Sequence, residues 1–236
     1  RPQPHYTRSV KTIILSDLDG SLLDNRTYSF EAAPPALEAL KRADVPLVLC
    51  TSKTRAEVEF WRERLGNAEP FVVENGGAVY VPQGYFPFGV PRAVSRDGYE
   101  VIELGCPYDE LVATLRTAAR EAGCQVLGFH QMSVAEVCLR SRLPILQAEL
   151  AKCREYDEPF EILSDGAYRL LEAIERHGKC WTRGDRFYHV LGHIGKAEAA
   201  RRLIALYRQA FARVKVVALG DGWNDADFLT EARRLQ

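Results

Sequence analysis

The chain has 236 residues, 47% hydrophobic and 27% charged, with 31 Lys and Arg against 32 Asp and Glu for a net charge of −1. That mix excludes a mostly disordered chain and gives no global attraction for nucleic acid or an anionic membrane surface. No apolar run approaches the ~20 residues of a bilayer span, and the length suits one core with a sizeable insertion, or two small domains.

Arg1 to His5 is not followed by the short apolar stretch and small-residue cleavage site of a signal peptide. The cysteines Cys50, Cys106, Cys124, Cys138, Cys153 and Cys180 show no Cys-x-x-Cys spacing and read as reduced thiols of a cytoplasmic protein. Val10 to Leu15 is a short, β-branched apolar run, a buried strand that breaks into a turn at Ser16-Asp17-Leu18-Asp19-Gly20. Pro34 and Pro35 then open a helix with Ala36, Leu37 and Leu40 on its apolar side. A second strand, Val45 to Cys50, runs into Thr51-Ser52-Lys53. Thr54 and Glu57 form the capping box of a helix striped by Val58, Trp61 and Leu65 and stopped at Gly66. A third strand, Phe71 to Val73, leads through Glu74-Asn75-Gly76-Gly77 into a hairpin.

Near-continuous apolar strands alternating with helices predict a parallel sheet covered on both faces. The rhythm then changes. Leu111, Leu115, Ala118 and Ala122 predict a helix capped by Asp109, and Gln125 to Leu127 a strand. A helix follows over Leu143 to Cys153, then an extended Glu155 to Leu163 and a helix from Asp165 to Arg176. The turn Arg183-Gly184-Asp185-Arg186 precedes a strand, Phe187 to Val190. This is a small α+β unit inserted into an α/β core. The expected division is core 1–82 and 186–236 with an insertion 83–185, of which 83–104 also reads as a hairpin extending from the core. The α/β grammar returns with the helical stripe Ala199, Ala200, Leu203, Ile204, Tyr207 and the strand Val214 to Leu219.

Asp17 and Asp19 lie two residues apart where the first strand ends, and Asp221 and Asp225 follow the last. If those strands are neighbours, four carboxylates converge on the crevice at the carboxyl ends of the strands. Such a cluster repels itself unless a hard divalent cation joins it, and an all-oxygen set suits magnesium. Each residue alone also reads as an ordinary turn or cap. Thr51 offers a hydroxyl and a backbone N–H ahead of a helix, and Lys196 a positive charge, so together they read as a phosphoryl site. His189 and His193 are four apart, but the strand context and Gly192 favour packed histidines over a metal pair.

These residues carry a resemblance. Ser16-Asp17-Leu18-Asp19-Gly20-Ser21-Leu22-Leu23-Asp24, Thr51, Lys196 and Gly220-Asp221-Gly222-Trp223-Asn224-Asp225 resemble, in order, the four motifs of the haloacid dehalogenase-like hydrolases. Within that superfamily, Cys50 to Thr54, Glu74 to Gly77, Arg154 to Phe160 and Gly184 to His189 look like the mannosyl-3-phosphoglycerate phosphatases. The resemblance implies a Rossmann-like parallel-sheet core of the haloacid dehalogenase type with an inserted α+β type 2 cap domain. It implies Asp17 as nucleophile and Asp19 as general acid and base. Magnesium would be held by Asp17, the Asp19 backbone carbonyl and Asp221, and phosphate by Thr51, Ser52 and Lys196. Asn224 and Asp225 would stand behind them, Asp225 orienting Lys196 or a water.

For the substrate, a phosphorylated sugar acid, Lys53, Arg55 and Arg186 would meet the carboxylate. Asn75, Gly76, Glu155, Asp157 and Glu158 would face sugar hydroxyls, unless the acidic run is only solvated charge. Departures are few: Ser21 replaces the commoner Thr, Ala197 follows Lys196 in place of Gly, and eleven residues follow Asp225 where the pattern carries at least one further strand. The expected activity is magnesium-dependent hydrolysis of mannosyl-3-phosphoglycerate by a cytoplasmic monomer or homodimer without nucleic-acid or membrane partners. The alternatives are a glucosyl-3-phosphoglycerate or sucrose-phosphate type phosphatase, a phosphosugar mutase, and a non-catalytic phosphoacceptor domain.

Overall fold

The computed structural model describes residues 10–24 and 26–234. Four parallel strands make the heart of a seven-stranded sheet: β1 (Val10–Ser16), β2 (Leu47–Cys50), β3 (Phe71–Val73) and β11 (Arg213–Leu219). Side chains alternate across them, as strand periodicity requires. Ile13, Leu15, Val48 and Val72 pack against α7 (Lys196–Ala210) and α8 (Ala226–Arg234) through Leu203, Tyr207 and Phe228. Leu47, Leu49 and Phe71 face α2 (Arg55–Leu65) through Val58 and Trp61, with Leu37 and Leu40 of α1 (Pro34–Arg42) at the edge. The helical stripes and the β-branched strands therefore make two apolar layers, one on each side of the sheet.

Beyond β3 the sheet turns antiparallel through β4 (Ala78–Pro82), β6 (Tyr99–Glu103) and β5 (Val94–Arg96), in the order β11-β1-β2-β3-β4-β6-β5. Most of 83–104 thus hangs on the core sheet. The inserted unit consists of α3 (Tyr108–Ala122), β7 (Val126–Gly128), α4 (Val134–Ser141), α5 (Ile145–Ala151), β8 (Asp157–Ile162), α6 (Ala167–Arg176), β9 (Cys180–Arg183) and β10 (Tyr188–Leu191). Its strands form an antiparallel sheet, β7-β8-β10-β9. The segment 186–191, expected in the core, therefore lies in the insertion: Tyr188 pairs with Phe160 and Leu191 with Asp157. Apolar alternation marks a strand but not the sheet that accepts it.

Other local differences have local causes. Pro107, not Asp109, precedes α3, and Asp109 sits in the first turn, where a negative charge meets the positive end of the helix. Pro144 delays α5 to Ile145. The helix α4 is an addition to the expected elements, although Ser133 and Glu136 carry its signal; they close a full capping box. After Asp225 the chain continues into α8 rather than a strand within the described residues. Among them, no helix is long and apolar enough to cross a membrane.

At α2 the anticipated capping box is complete. Thr54 Oγ1 accepts the Glu57 N–H (3.1 Å), and the Glu57 carboxylate accepts the Thr54 N–H (2.9 Å). The same hydroxyl donates to the Leu150 carbonyl of α5 (2.9 Å), tying core to insertion. Thr54→Ala removes both bonds of the hydroxyl and should lower stability by about 1–2 kcal/mol, read as a lower midpoint in urea unfolding.

Candidate active site

Three strand ends meet at one edge of the core. Ser16 pairs with Leu49 of β2 and with Leu219 of β11, so the segments that follow leave the sheet side by side at its carboxyl edge. The Asp17 N–H donates to the Leu219 carbonyl (2.9 Å), which fixes Asp17 beside the turn that carries Asp221 and Asp225. Gly20, at φ +72°, folds the chain back, and the Leu18 carbonyl accepts the N–H groups of Leu22 and Leu23.

Lys196, at the start of α7, is only 3% exposed. Its ammonium lies 3.1 Å from Asp17 Oδ1 and 2.6 Å from Asp225 Oδ1. Asp225 is fully buried and also accepts the Gly222 N–H (3.0 Å). A Cβ at Gly220 would stand 2.6 Å from the Asp225 carboxyl carbon, so glycine leaves room for that side chain. Oxygens of Asp17, Asp221 and Asp225 all lie within 4.8 Å of one another. Burial pushes the Asp17 carboxyl up to about 6; Lys196 opposes the shift, while Asp225 and Asp19 add to it. Burial also works against the Lys196 ammonium, but Asp17, Cys50 and Asp225 outweigh it and its pKa is raised. Three carboxylates against one lysine leave excess negative charge, and a hard, all-oxygen donor set fits a divalent cation. Asp225 thus joins Asp17 and Asp221 in that set as well as holding Lys196.

The Asp19 carboxylate stands apart from the cluster. Its Oδ2 lies 2.9 Å from the Lys53 ammonium, and its Oδ1 is buried without a hydrogen-bond partner among the described residues. Lys53 itself is buried, 3.6 Å from Glu57 and over the Tyr28 ring. Thr51 is fully buried, and its N–H, expected to face an anion, is used instead by the Val72 carbonyl (3.1 Å) in the sheet. Its hydroxyl oxygen accepts the Lys53 N–H (3.2 Å), which leaves the hydroxyl hydrogen to donate elsewhere.

The insertion roofs this edge and encloses a cleft of about 670 Å³ of empty space, its open mouth included. Asp19, Ser52, Lys53, Arg154, Arg186 and His189 contribute to its walls. Arg186 donates to the Tyr28 hydroxyl (3.0 Å) and to the Ser141 carbonyl. Arg154, absent from the residues expected here, donates to the Ser52 carbonyl (2.8 Å) and lies 4.0 Å from Glu57. Its signal in the sequence is a lone Arg opening an acidic run, a pattern as common on solvated surfaces as in binding sites.

Several expected substrate contacts point elsewhere. Arg55 pairs with Glu59 (3.0 Å) and Asp97 (2.7 Å) and covers Tyr80 and Tyr99, away from the cleft. Glu155 pairs with Arg96 (3.0 Å). Glu158 is fully buried and accepts from the Tyr108 hydroxyl and from His130 (2.6 Å) inside the insertion. The acidic run is thus divided: Asp157 and Glu158 are fully buried paired acids, and Glu155 is a partly exposed partner of Arg96. Asn75 donates to Asp157 (2.7 Å) and accepts from Asn224 (3.0 Å). At Gly76, φ +98°, a Cβ would stand 2.4 Å from the Gly195 backbone, so the 74–77 turn packs directly under the helix end that bears Lys196. Gly76 packs under that helix end, and Asn75 lines a second hollow beside Lys196 and Asn224.

Comparison with known proteins decides the family. A model of the haloacid dehalogenase-like hydrolases matches residues 14–86. A glucosyl-3-phosphoglycerate/mannosyl-3-phosphoglycerate phosphatase of Methanococcoides burtonii is 40% identical over 222 residues, 93% of this chain and 82% of the relative. A mannosyl-3-phosphoglycerate phosphatase of Pyrococcus furiosus is 39% identical over 213 residues, 90% of this chain and 85% of the relative. The chain belongs to the haloacid dehalogenase-like hydrolases, in the mannosyl-3-phosphoglycerate phosphatase family. The fold agrees. A Bacteroides thetaiotaomicron phosphatase of this superfamily superposes with a TM-score of 0.64 at 18% identity, covering 98% of this chain and 84% of its own. A subclass IIB sugar phosphatase gives 0.62 at 16%, with coverages of 93% and 84%. The insertion is therefore a cap, and the protein is a phosphoric monoester hydrolase.

The charge excess predicts a measurable strain in this phosphatase. Because the folded pKa of Asp17, about 6, exceeds its ordinary value of 3.8, the ionised carboxylate costs stability above that pH. The cost is absent below about pH 4, grows to about pH 6 and is level beyond. In the presence of a chelator, Asp17→Asn should therefore raise the melting temperature at pH 7.5 and lose that advantage at acid pH. Calorimetry across pH 3.5 to 7.5 checks it.

Proposed function

We propose that this phosphatase hydrolyses mannosyl-3-phosphoglycerate, with the glucosyl analogue as an alternative substrate, through an aspartyl-phosphate on Asp17. The observation that carries the reading is the buried Lys196 ammonium between Asp17 and Asp225, with Asp221 beside them, at the edge of a cap-covered cleft. That arrangement keeps a carboxylate ionised and oriented where a phosphate can meet it. Asp17 attacks phosphorus, and the bond to the glycerate oxygen breaks as that oxygen takes a proton from Asp19. Asp19, now ionised, takes a proton from water as that water attacks the phosphorus, releasing inorganic phosphate and freeing Asp17. An Asp19 oxygen that is buried and unpartnered suits this exchange of protons.

Lys196 has three N–H donors; two meet Asp17 and Asp225, and the third is available to a phosphate oxygen. The Thr51 hydroxyl and Ser52 complete the cradle. Magnesium, held by Asp17, Asp221, Asp225 and the Asp19 carbonyl, would supply the positive charge that offsets repulsion between phosphate and carboxylates. On the substrate's other end, Arg186, Lys53 and Arg154 give the cleft a cationic wall suited to the glycerate carboxylate. The names carried by the relatives support that choice of leaving group. Six free thiols fit a reducing, cytoplasmic setting.

Phosphate release from mannosyl-3-phosphoglycerate, glucosyl-3-phosphoglycerate and sucrose phosphate, with magnesium and with a chelator, tests this reading. The first two should be hydrolysed with kcat/KM at least ~10-fold above the third, and chelation should remove the activity until magnesium is restored. Asp17→Asn should lower kcat by ~10³-fold or more. A preference for sucrose phosphate, or a phosphorylated Asp17 without turnover, would sink it.

A further inference from the structure

Two histidines of the sequence sit four residues apart, and the structure gives one of them an unassigned place. His189 is 7% exposed and lies on β10, in the cap wall of the cleft that Asp19 and Arg186 also line. Its Nδ1 is 2.9 and 3.0 Å from the two oxygens of Asp157, a fully buried residue of β8. The pairing of β8 with β10 sets the two side by side, His189 opposite Pro159 and Leu191 opposite Asp157. Burial alone would raise the Asp157 pKa, yet His189, Arg154 and the Asn75 amide hold it below the ordinary carboxylate value. An ionised carboxylate only accepts, so Nδ1 carries a hydrogen and donates to Asp157, which fixes the plane of the ring.

Nε2 of that ring lies on the side of Gly184, which also lines the cleft. A Cβ at Gly184 would stand 3.2 Å from Nε2, so the bare glycine keeps the space before this nitrogen clear. Asp157 is itself held. Asn75 donates to it and accepts from Asn224, the neighbour of Asp225. The orientation of the imidazole is thus set by a chain of hydrogen bonds that begins at the acidic turn of the core. An oriented imidazole nitrogen at a roofed cleft can meet a hydroxyl, which both donates and accepts.

We propose that His189 is a specificity-determining residue that hydrogen-bonds a sugar hydroxyl of the leaving group through Nε2, with Asp157 positioning it. This rests on the sugar-phosphate reading for the nature of the ligand. It adds an oriented imidazole to a cleft whose charged lining sets Lys53, Arg154 and Arg186 against Asp19, Glu57 and Asp185. It also separates two tasks. Arg186, Lys53 and Arg154 meet a carboxylate, whereas His189 reads hydroxyl position.

The test compares KM values of wild type, His189→Ala, His189→Gln and Asp157→Asn for the best sugar phosphate of the panel above and for 4-nitrophenyl phosphate, which has no hydroxyls on its leaving group's carbon frame. KM is insensitive to the fraction of molecules that fold, so a merely destabilised variant does not imitate the effect. His189→Ala should raise KM for the sugar phosphate ~10-fold, with a rise at least five times greater than for the aryl phosphate. His189→Gln, whose amide both donates and accepts, should recover part of the loss, and Asp157→Asn should shift KM in the same direction as His189→Ala. An unchanged KM for the sugar phosphate, or equal rises for both substrates, overturns the proposal. The wild-type preference across the panel judges the substrate reading separately. A wild type that hydrolyses no hydroxylated phosphate better than the aryl one overturns both.

Discussion

The buried ammonium of Lys196 is the interaction on which the site depends. Without it, Asp17 and Asp225 would bring like charges together in a region from which water is largely excluded, and at least one would protonate. With it, two loops that are far apart in sequence are held at the same strand edge, the one after β1 and the one after β11. The helix that carries Lys196 is anchored by Leu203, Ile204 and Tyr207 in the apolar layer under the sheet. Packing energy in the core is thus converted into charge placement at its edge. The remaining negative charge is what makes the place suited to a cation and to phosphate chemistry.

A second constraint comes from the 74–77 turn. Its backbone bonds to Thr51 and Lys53 (Asn75 N–H to the Thr51 carbonyl, 3.0 Å; Glu74 N–H to the Lys53 carbonyl, 2.9 Å). The Glu74 carboxylate accepts the N–H groups of Glu155 and Tyr156, where the chain returns to the cap sheet. Burial pushes Glu74 up to about 8, against Arg154 and those same backbone donors. Glu74 and Asn75 both adopt positive φ, 48° and 55°, a conformation that non-glycine residues rarely hold without surrounding support. That support is here: the phosphate-side loop, the Lys196 helix end, the acidic turn and the cap all bond to or pack on these four residues. The turn couples cap position to the geometry of the catalytic loops.

Periodicity and turn chemistry make the core legible in the sequence. The strand ends at Asp17, Thr51 and Gly220 follow from apolar runs meeting Gly- and Asp-containing turns, and the α2 capping box follows from Thr54 and Glu57. The acidic convergence is readable because parallel strands share one carboxyl edge. The cap is less legible. Strand Tyr188–Leu191 shows the same alternation wherever it pairs, so only its partners decide which sheet it joins. The acidic run from Glu155 to Glu158 resembles a solvent-facing segment because its partners, Arg96, Tyr108, His130 and His189, lie between 28 and 59 positions away in the chain. Long-range pairing of buried charges leaves no local periodicity to read.

The same contrast explains how the two halves of the reaction site divide their labour. Core residues that meet the phosphate are fixed by backbone ladders and short turns, whose geometry is set within a few residues of each acid. Residues that meet the leaving group are fixed by side chains reaching across the cap: Arg186 to Tyr28 and Ser141, Arg154 to Ser52, and Asp157 to Asn75 and His189. Side-chain networks of this kind tolerate replacement one partner at a time, while a change in a strand-end turn displaces backbone and acid together. Chemistry placed on the ladders and recognition placed on the cap network therefore separates the reaction, which the core preserves, from the choice of sugar, which the cap can alter. On the proposed reading, the core alone would meet the phosphate, and discrimination between leaving groups would fall to the orientation of a few cap side chains.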